Sequence, residues 1–410
     1  MSRARNANEM LKGASPFNPG QPVPVELFTG RIKEIEHIMR RGAGQVAAGK
    51  PVAMFVQGEY GIGKSSVAKF TQYLAEREHN LWPIYASLAG CSDLNSMAEA
   101  ILWAALRTHA FDRTPSEAVR EFFADYIEKA TLFGVTLKTD ALRRDAPKLA
   151  SAGSLIDFLG ELQARLSKTG TKGIFLVLDE INGITGNAQF ARFLKGLIDT
   201  NAFLPKPVPF LLMLCGVEER RGEMIRNHQP VERIFDIITI DTMSPGEMAE
   251  FFTRAFNSVN ITVQPEAMTH LVHYSAGFPK IMHLVGDAAF WVDEDATVDG
   301  REALKAVIMA ADQVGERFVV PQVYKALRSP TYRSILAKVA AKLGPESISF
   351  LKSDVASGLT DQEKKKLGNF LNRMKELRVI RKGDVQGEWV FNMRMVQLYI
   401  WLQSRSKRPE

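Results

Sequence analysis

Gly58-Glu59-Tyr60-Gly61-Ile62-Gly63-Lys64-Ser65 reads G-x-x-x-x-G-K-S, the spacing of a phosphate-binding loop. Its surroundings decide the reading. Val52-Ala53-Met54-Phe55-Val56 precedes it as a short apolar run of strand formers. Ser66-Val67-Ala68-Lys69-Phe70-Thr71-Gln72-Tyr73-Leu74 follows with apolar side chains at helical spacing. Strand, glycine turn and helix N-terminus therefore fall in the order the chemistry needs. Glycines let the backbone curl around phosphate oxygens, and the helix start aims free N–H groups at them. Gly58, Tyr60, Gly61, Ile62, Gly63, Lys64, Ser65 and Ser66 are the expected cradle. Lys64 reaches the β- and γ-phosphates of ATP, and the Ser65 hydroxyl ligates Mg²⁺.

A second signal lies downstream in Gly173-Ile174-Phe175-Leu176-Val177-Leu178-Asp179-Glu180. An unbroken apolar run suggests a strand buried on both faces, as in parallel sheets. Two acids at its C-terminal end stand where open α/β sheets bind ligands. Asp179 is expected in the Mg²⁺ shell and Glu180 as the group that orients the attacking water. Leu81 to Leu88, Phe210 to Gly216 and Ile237 to Ile240 read as further strands, with Pro83 tolerable only near a strand start or on an edge. Five apolar strands interleaved with helical segments predict a three-layer α/β fold on a parallel sheet.

The 410 residues suffice for two or three domains. Residues 1–27 hold Pro16, Pro19, Pro22 and Pro24 and predict an extended lead-in. A helix is expected over Ile32 to Met39, closed by Gly44 and Gly49. Residues 94–168 read as largely helical, with Lys138 to Lys148 as a charged surface excursion. The core is expected over 28–243. From Pro245 to Val314 only helices are expected, opened by Ser244-Pro245 with Glu247 in capping register, which gives a helical lid over 244–318. Cys91 and Cys215 are the only cysteines, which suggests neither a disulfide framework nor a zinc site. No apolar run of transmembrane length and no secretory leader is found, so a cytoplasmic protein without membrane contact is expected.

Residues 319–410 change pattern. From Pro321 onward there are 18 Lys+Arg against 8 Asp+Glu, a net of +10 in a chain whose total is +6. That asymmetry points to an anionic partner, and a solvated basic face would read the same way. Helices are expected over Tyr332 to Leu343 and Ser349 to Ala356. Thr360 and Glu363 then form a capping-box pattern opening a helix with Lys364, Lys365, Lys366 and Arg373. Val379 to Phe391 reads as two short strands around a glycine turn, with Arg381 and Lys382 on the first. Helices followed by a basic hairpin predict a winged helix, whose second helix enters the DNA major groove.

These residues resemble the AAA+-type P-loop ATPases related to archaeal origin-recognition initiators, to the wider archaeal ATPase and STAND group, and to transposition-regulator ATPases. Phe28-Thr29-Gly30-Arg31 is similar to their F-x-G-R lead-in near the nucleotide base, which implicates Phe28, Gly30 and Arg31. Gly277-Phe278-Pro279-Lys280 resembles the lid sensor-2 signature, which implies that Pro279 and Lys280 serve the nucleotide, Lys280 near the γ-phosphate. The sensor-1 site after the fourth strand departs from the pattern: Cys215-Gly216-Val217 offers no Asn, Ser or Thr, and Glu218 is the nearest substitute. The resemblance also implies an arginine finger supplied by a neighbouring subunit. Arg233 is the first candidate, followed by Arg226 and the pair Arg220-Arg221.

Two functions fit. One is an ATPase whose nucleotide state drives homo-oligomerisation into a ring or arc and engagement of duplex DNA. The other is a STAND-type signalling switch whose winged helix binds a partner protein. A small-molecule kinase would leave the lid and the basic C-terminal region without a role.

Overall fold

The computed structural model describes residues 12–19, 28–107 and 151–406. Most of the expected lead-in, the excursion over Lys138 to Lys148 and part of the helical stretch over 94–168 lie outside these residues. The chain divides into two compact units, one of residues 22–241 and one joining residues 1–21 to 242–410.

The first unit is built on a five-stranded sheet. Its strands are β1 (Val52–Gln57), β2 (Leu81–Ser87), β3 (Gly173–Asp179), β4 (Phe210–Gly216) and β5 (Asp236–Thr239). Their order is β2-β3-β4-β1-β5 and every pairing is parallel. All seven residues of β3 and of β4 are buried, as their unbroken apolar runs require. Pro83 lies in β2, at the sheet edge, where a missing ladder donor costs least. Parallel register carries Gln57, Ser87, Asp179, Gly216 and Thr239 to one end of the sheet. Phe55, Phe158, Phe175, Phe190 and Phe210 fill the core between sheet and helices.

Helices α1 (Ile32–His37) and α2 (Gly44–Ala47) are joined by a π-helical stretch, Ile38–Ala43. Gly44 therefore does not end the helical run, contrary to expectation. Gly42 instead lets the run press against Leu211 and Met54, and Gly49, with φ of +86°, follows its end. Then come α3 (Lys64–His79), α4 (Leu94–Arg107), α5 (Ala152–Leu166), α6 (Ala188–Ala202) and α7 (Glu218–Asn227).

The second unit begins with α8 (Pro245–Asn257), opened by the expected capping box of Ser244 and Glu247. It continues through α9 (Pro265–Ser275), α10 (Pro279–Val292) and α11 (Gly300–Val314). The expectation of helices alone is corrected here. β6 (Thr262–Val263) and β7 (Thr297–Val298) form a short parallel pair between them. Beyond lie α12 (Pro330–Leu343), β8 (Ser349–Leu351), α13 (Lys352–Ala356), α14 (Asp361–Glu376), β9 (Ile380–Lys382), β10 (Glu388–Phe391) and α15 (Arg394–Ser406). Ser349 to Leu351 is thus strand, not helix. Phe350 pairs with Trp389 across an antiparallel ladder, and tertiary pairing outweighs local helix propensity. Sheet order is β8-β10-β9. No described helix is long and apolar enough to cross a membrane.

Residues 12–19 belong to this unit through one buried aromatic. The Phe17 ring lies 5.9 Å from that of Phe251 and 4.9 Å from that of Phe256, edge to face in both. A methyl group on Gly286 would overlap it, so that glycine makes its room. The Asn18 amide donates to His283 Nδ1 at 3.1 Å, which leaves the neutral imidazole's proton on Nε2. Burial pulls His283 down to about 4. Between pH 6.5 and 4 the unfolded chain therefore binds the proton the folded unit refuses, and stability falls as the pH falls. His283→Gln, measured by chemical denaturation across this range, is expected to lose less stability than the wild type by up to about 3 kcal/mol. Parallel pH curves for the two proteins would show that the imidazole is not buried this way.

Candidate functional site

The loop over Gly58–Ser65 leaves β1 and enters α3 through Gly63, whose φ of +102° an L side chain rarely adopts. Gly58 is constrained by space: a Cβ there would stand 2.6 Å from the Ile240 carbonyl oxygen. Lys64 Nζ donates to the carbonyl oxygens of Gly58 at 2.9 Å and Glu59 at 2.8 Å, and lies 5.7 Å from the Tyr60 ring centre. Burial lowers its ammonium. Ile62 is buried, and its carbonyl accepts from Arg31 Nη2 at 3.2 Å. Gly30 and Arg31 both have positive φ, which turns the chain into α1 and drives the Arg31 side chain under the loop. Phe28 stacks on Phe70 of α3, ring centres 4.3 Å apart. The expected lead-in thus reaches the loop through specific contacts.

Asp179 ends β3 and is 4% exposed. Its Oδ2 accepts from the Ser65 hydroxyl at 2.5 Å and from the Tyr85 hydroxyl, and its Oδ1 from the Glu180 amide at 2.8 Å. Ser65 and Asp179, expected to share a metal, are in direct contact. Their hydroxyl and carboxylate oxygens are the hard donors Mg²⁺ prefers. Glu180 is exposed, has φ of +57° in the left-handed region, and accepts from Ser87 Oγ at 2.8 Å. Neither Tyr85 nor Ser87 was expected in the site. The available signal was two polar residues near the end of a strand beside the acid-bearing one, since β2 and β3 pair Ser87 with Asp179. Burial and the Asp179 charge push the Tyr85 phenol up, so it stays a donor.

The sensor-1 position is filled by a thiol. Cys215 pairs in register with Val56, is fully buried, and burial holds it well above the usual range. Glu218 opens α7, exposed, 3.9 Å from Arg221. Arg221 Nε donates to Gln57 Oε1 at 3.1 Å, and Gln57 Nε2 to Thr239 Oγ1 at 3.1 Å. Arg220 pairs with Glu223 at 2.7 Å. Arg226 and Arg233 are exposed, the latter at the end of the 3₁₀ turn Gln229–Arg233.

In the second unit, Pro279 starts α10 and Lys280 is exposed on its first turn. Thr360 and Glu363 make the expected capping box at α14. Glu363 also accepts from Ser334 and Lys338, both at 2.7 Å, and Lys338 holds its carboxyl down to about 2. Lys364 lies 3.7 Å from Asp361, and Arg373 lies 2.9 Å from Glu376. Lys366 turns inward, donating to Thr331 Oγ1 at 3.4 Å. Lys365, Arg381 and Lys382 are exposed.

Residues 27–205 match the AAA ATPase domain family. The Orc2 protein of Aeropyrum pernix, in its ADPNP–ADP complexes, has a similar structure: TM-score 0.59 and 14% identity over 95% of this chain and 96% of that one. A Walker-type ATPase of Pyrococcus abyssi has TM-score 0.57 and 17% identity over 91% and 96%. No curated protein sequence matches the chain.

Ser87 holds Glu180 turned toward β2, so Ser87→Ala is expected to raise the nucleotide-independent mobility of that carboxylate and the basal ATPase rate by a few-fold. A rate unchanged or lowered in steady-state phosphate release would mean that the bond does not restrain Glu180.

Proposed function

We propose, from the premise that the chain carries an AAA ATPase domain and is an ATP-hydrolysing enzyme, that its nucleotide state governs self-assembly and the engagement of duplex DNA by residues 330–406. The order α12, β8, α13, α14, β9, β10 with a three-stranded antiparallel sheet is the arrangement of a winged helix, with α14 as the groove-entering helix. The observation that carries the DNA reading is charge. The region from Pro321 has a net charge of +10, and Lys365 on α14 and Arg381 and Lys382 on β9 are exposed.

In hydrolysis, Lys64 supplies a positive charge to the β- and γ-phosphates and the N-terminus of α3 supplies backbone donors. Ser65 and Asp179 would hold Mg²⁺, which when bound neutralises phosphate charge. Glu180 accepts the hydrogen bond that orients the attacking water, once released from Ser87. Arg233, exposed and without an ion pair among the described residues, is the arginine best placed for a neighbouring copy's nucleotide. Lys280 is assigned to the γ-phosphate on its signature alone.

A second reading has a specific support. The buried thiol of Cys215 cannot replace a polar sensor, which favours slow hydrolysis and a signalling switch that binds a protein. DNA separates the two. Mobility shift at low salt should retain duplex DNA, binding should weaken steeply as salt rises, and Lys365→Ala combined with Arg381→Ala and Lys382→Ala should weaken it by at least tenfold. Absence of a shift with or without ATP would leave the signalling reading. For the chemistry, Lys64→Ala should lose nucleotide binding, whereas Glu180→Gln should bind ATP and turn it over at least a hundredfold more slowly. Wild-type rates in both variants would refute the catalytic assignment.

A further inference from the structure

The end of β4 gives the reacting phosphate neither a hydroxyl nor an amide, yet the helix that follows it delivers two cations to the loop. α7 begins two residues after β4, and its first turn carries Arg220 and Arg221. Arg221 is the anchor. Its bond to Gln57, itself bonded to Thr239, ties the start of α7 to the last residues of β1 and β5, where the phosphate loop begins. Arg220 is thereby fixed beside Tyr60, whose hydroxyl interacts with its guanidinium.

Tyr60 marks a definite place on the loop. Lys64 Nζ lies 5.7 Å from the centre of its ring, and that ammonium serves the β- and γ-phosphates. A guanidinium beside Tyr60 is therefore at the γ end of the cradle. Its present partners leave it capacity. Arg220 Nη1 donates to both oxygens of Glu223, at 2.7 and 2.8 Å, while its buried Nε has no hydrogen-bond partner. Glu223 is held in turn by the Thr185 hydroxyl at 2.7 Å, and Arg220 and Thr185 keep its carboxyl ionised. The arrangement is a guanidinium parked on a fixed carboxylate, with donors left over, next to the site of a dianionic phosphate.

We infer that Arg220 contacts the γ-phosphate of the nucleotide bound to its own subunit, distinguishing triphosphate from diphosphate in place of the polar sensor that Cys215 does not provide. Arg220 exchanges the Glu223 carboxylate for phosphate oxygens, and Arg221 positions it. This rests on the reading of Gly58–Ser65 as an ATP cradle. It also removes Arg220 and Arg221 from the candidates for a finger reaching into a neighbour, because both are engaged within their own unit.

The test is equilibrium binding of ADPNP and of ADP, each with Mg²⁺, to the full-length protein. Arg220→Ala should weaken ADPNP by about tenfold or more, the scale of a lost charge-assisted contact, and leave ADP within about twofold. Arg220→Lys should recover part of the loss. Glu223→Gln removes the competing charge and should tighten ADPNP alone. Arg192→Ala, an exposed arginine of α6, should change neither. If Arg220→Ala does not fold, as read by its melting curve, the lysine and Glu223→Gln variants carry the comparison. Equal effects on both nucleotides, or none, in Arg220→Ala or Glu223→Gln overturn the assignment and leave Arg220 a helix-surface ion pair. A wild-type protein that binds neither nucleotide would instead defeat the cradle reading itself.

Discussion

A carboxylate buried at the end of a central strand must be satisfied by donors from several directions, and Asp179 imposes that requirement on this fold. It is 4% exposed and takes hydrogen bonds from Ser65, Tyr85 and the Glu180 amide. Hydrogen bonds to a charged group are each worth about 1.5–3 kcal/mol, and leaving the charge unpaired costs more. Meeting the requirement forces β2 beside β3 in parallel register and brings the first turn of α3 over the same edge. The catalytic end of the sheet is therefore where the fold's largest electrostatic debt is settled by hydrogen-bond donors.

Much of this was legible in the chain because the determining signals are local. The loop, its flanking strand and helix, and the acid pair each lie within a dozen residues, and buried parallel strands announce themselves as unbroken apolar runs. The capping boxes at Ser244 and Thr360 were legible for the same reason, since both partners lie three residues apart. What escaped depends on register between distant segments. Tyr85 and Ser87 meet the acids 94 and 93 residues away in sequence. Ser349 to Leu351 becomes a strand only because β10 pairs with it. The π-helical turn at Ile38–Ala43 depends on packing against β1 and β4, which no propensity reports.

Charge on α14 teaches a related lesson. A run of three lysines suggests three phosphate contacts, but helical spacing points consecutive side chains about 100° apart. Lys366 faces Thr331 on α12, Lys364 lies near Asp361, and Lys365 is exposed without an ion pair. The cation count overstates the surface available to a polyanion. Exposure on the adjoining strand, at Arg381 and Lys382, makes up part of the difference.

The lead-in shows how a short segment can link two units without being rigid itself. Phe17 is enclosed by aromatic rings of the second unit, and Arg31, only fourteen positions later, supports the Ile62 carbonyl in the phosphate loop. Each attachment is buried and specific, so neither end can shift freely against the unit that holds it. The same stretch of chain is thus committed to the nucleotide cradle at one end and to the helical unit at the other. A change in the backbone at Ile62 would act on Arg31 first, through the hydrogen bond that fixes it. The sequence F-x-G-R therefore does more than approach a nucleotide: Gly30 and Arg31, both at positive φ, convert an extended lead-in into a brace beneath the loop.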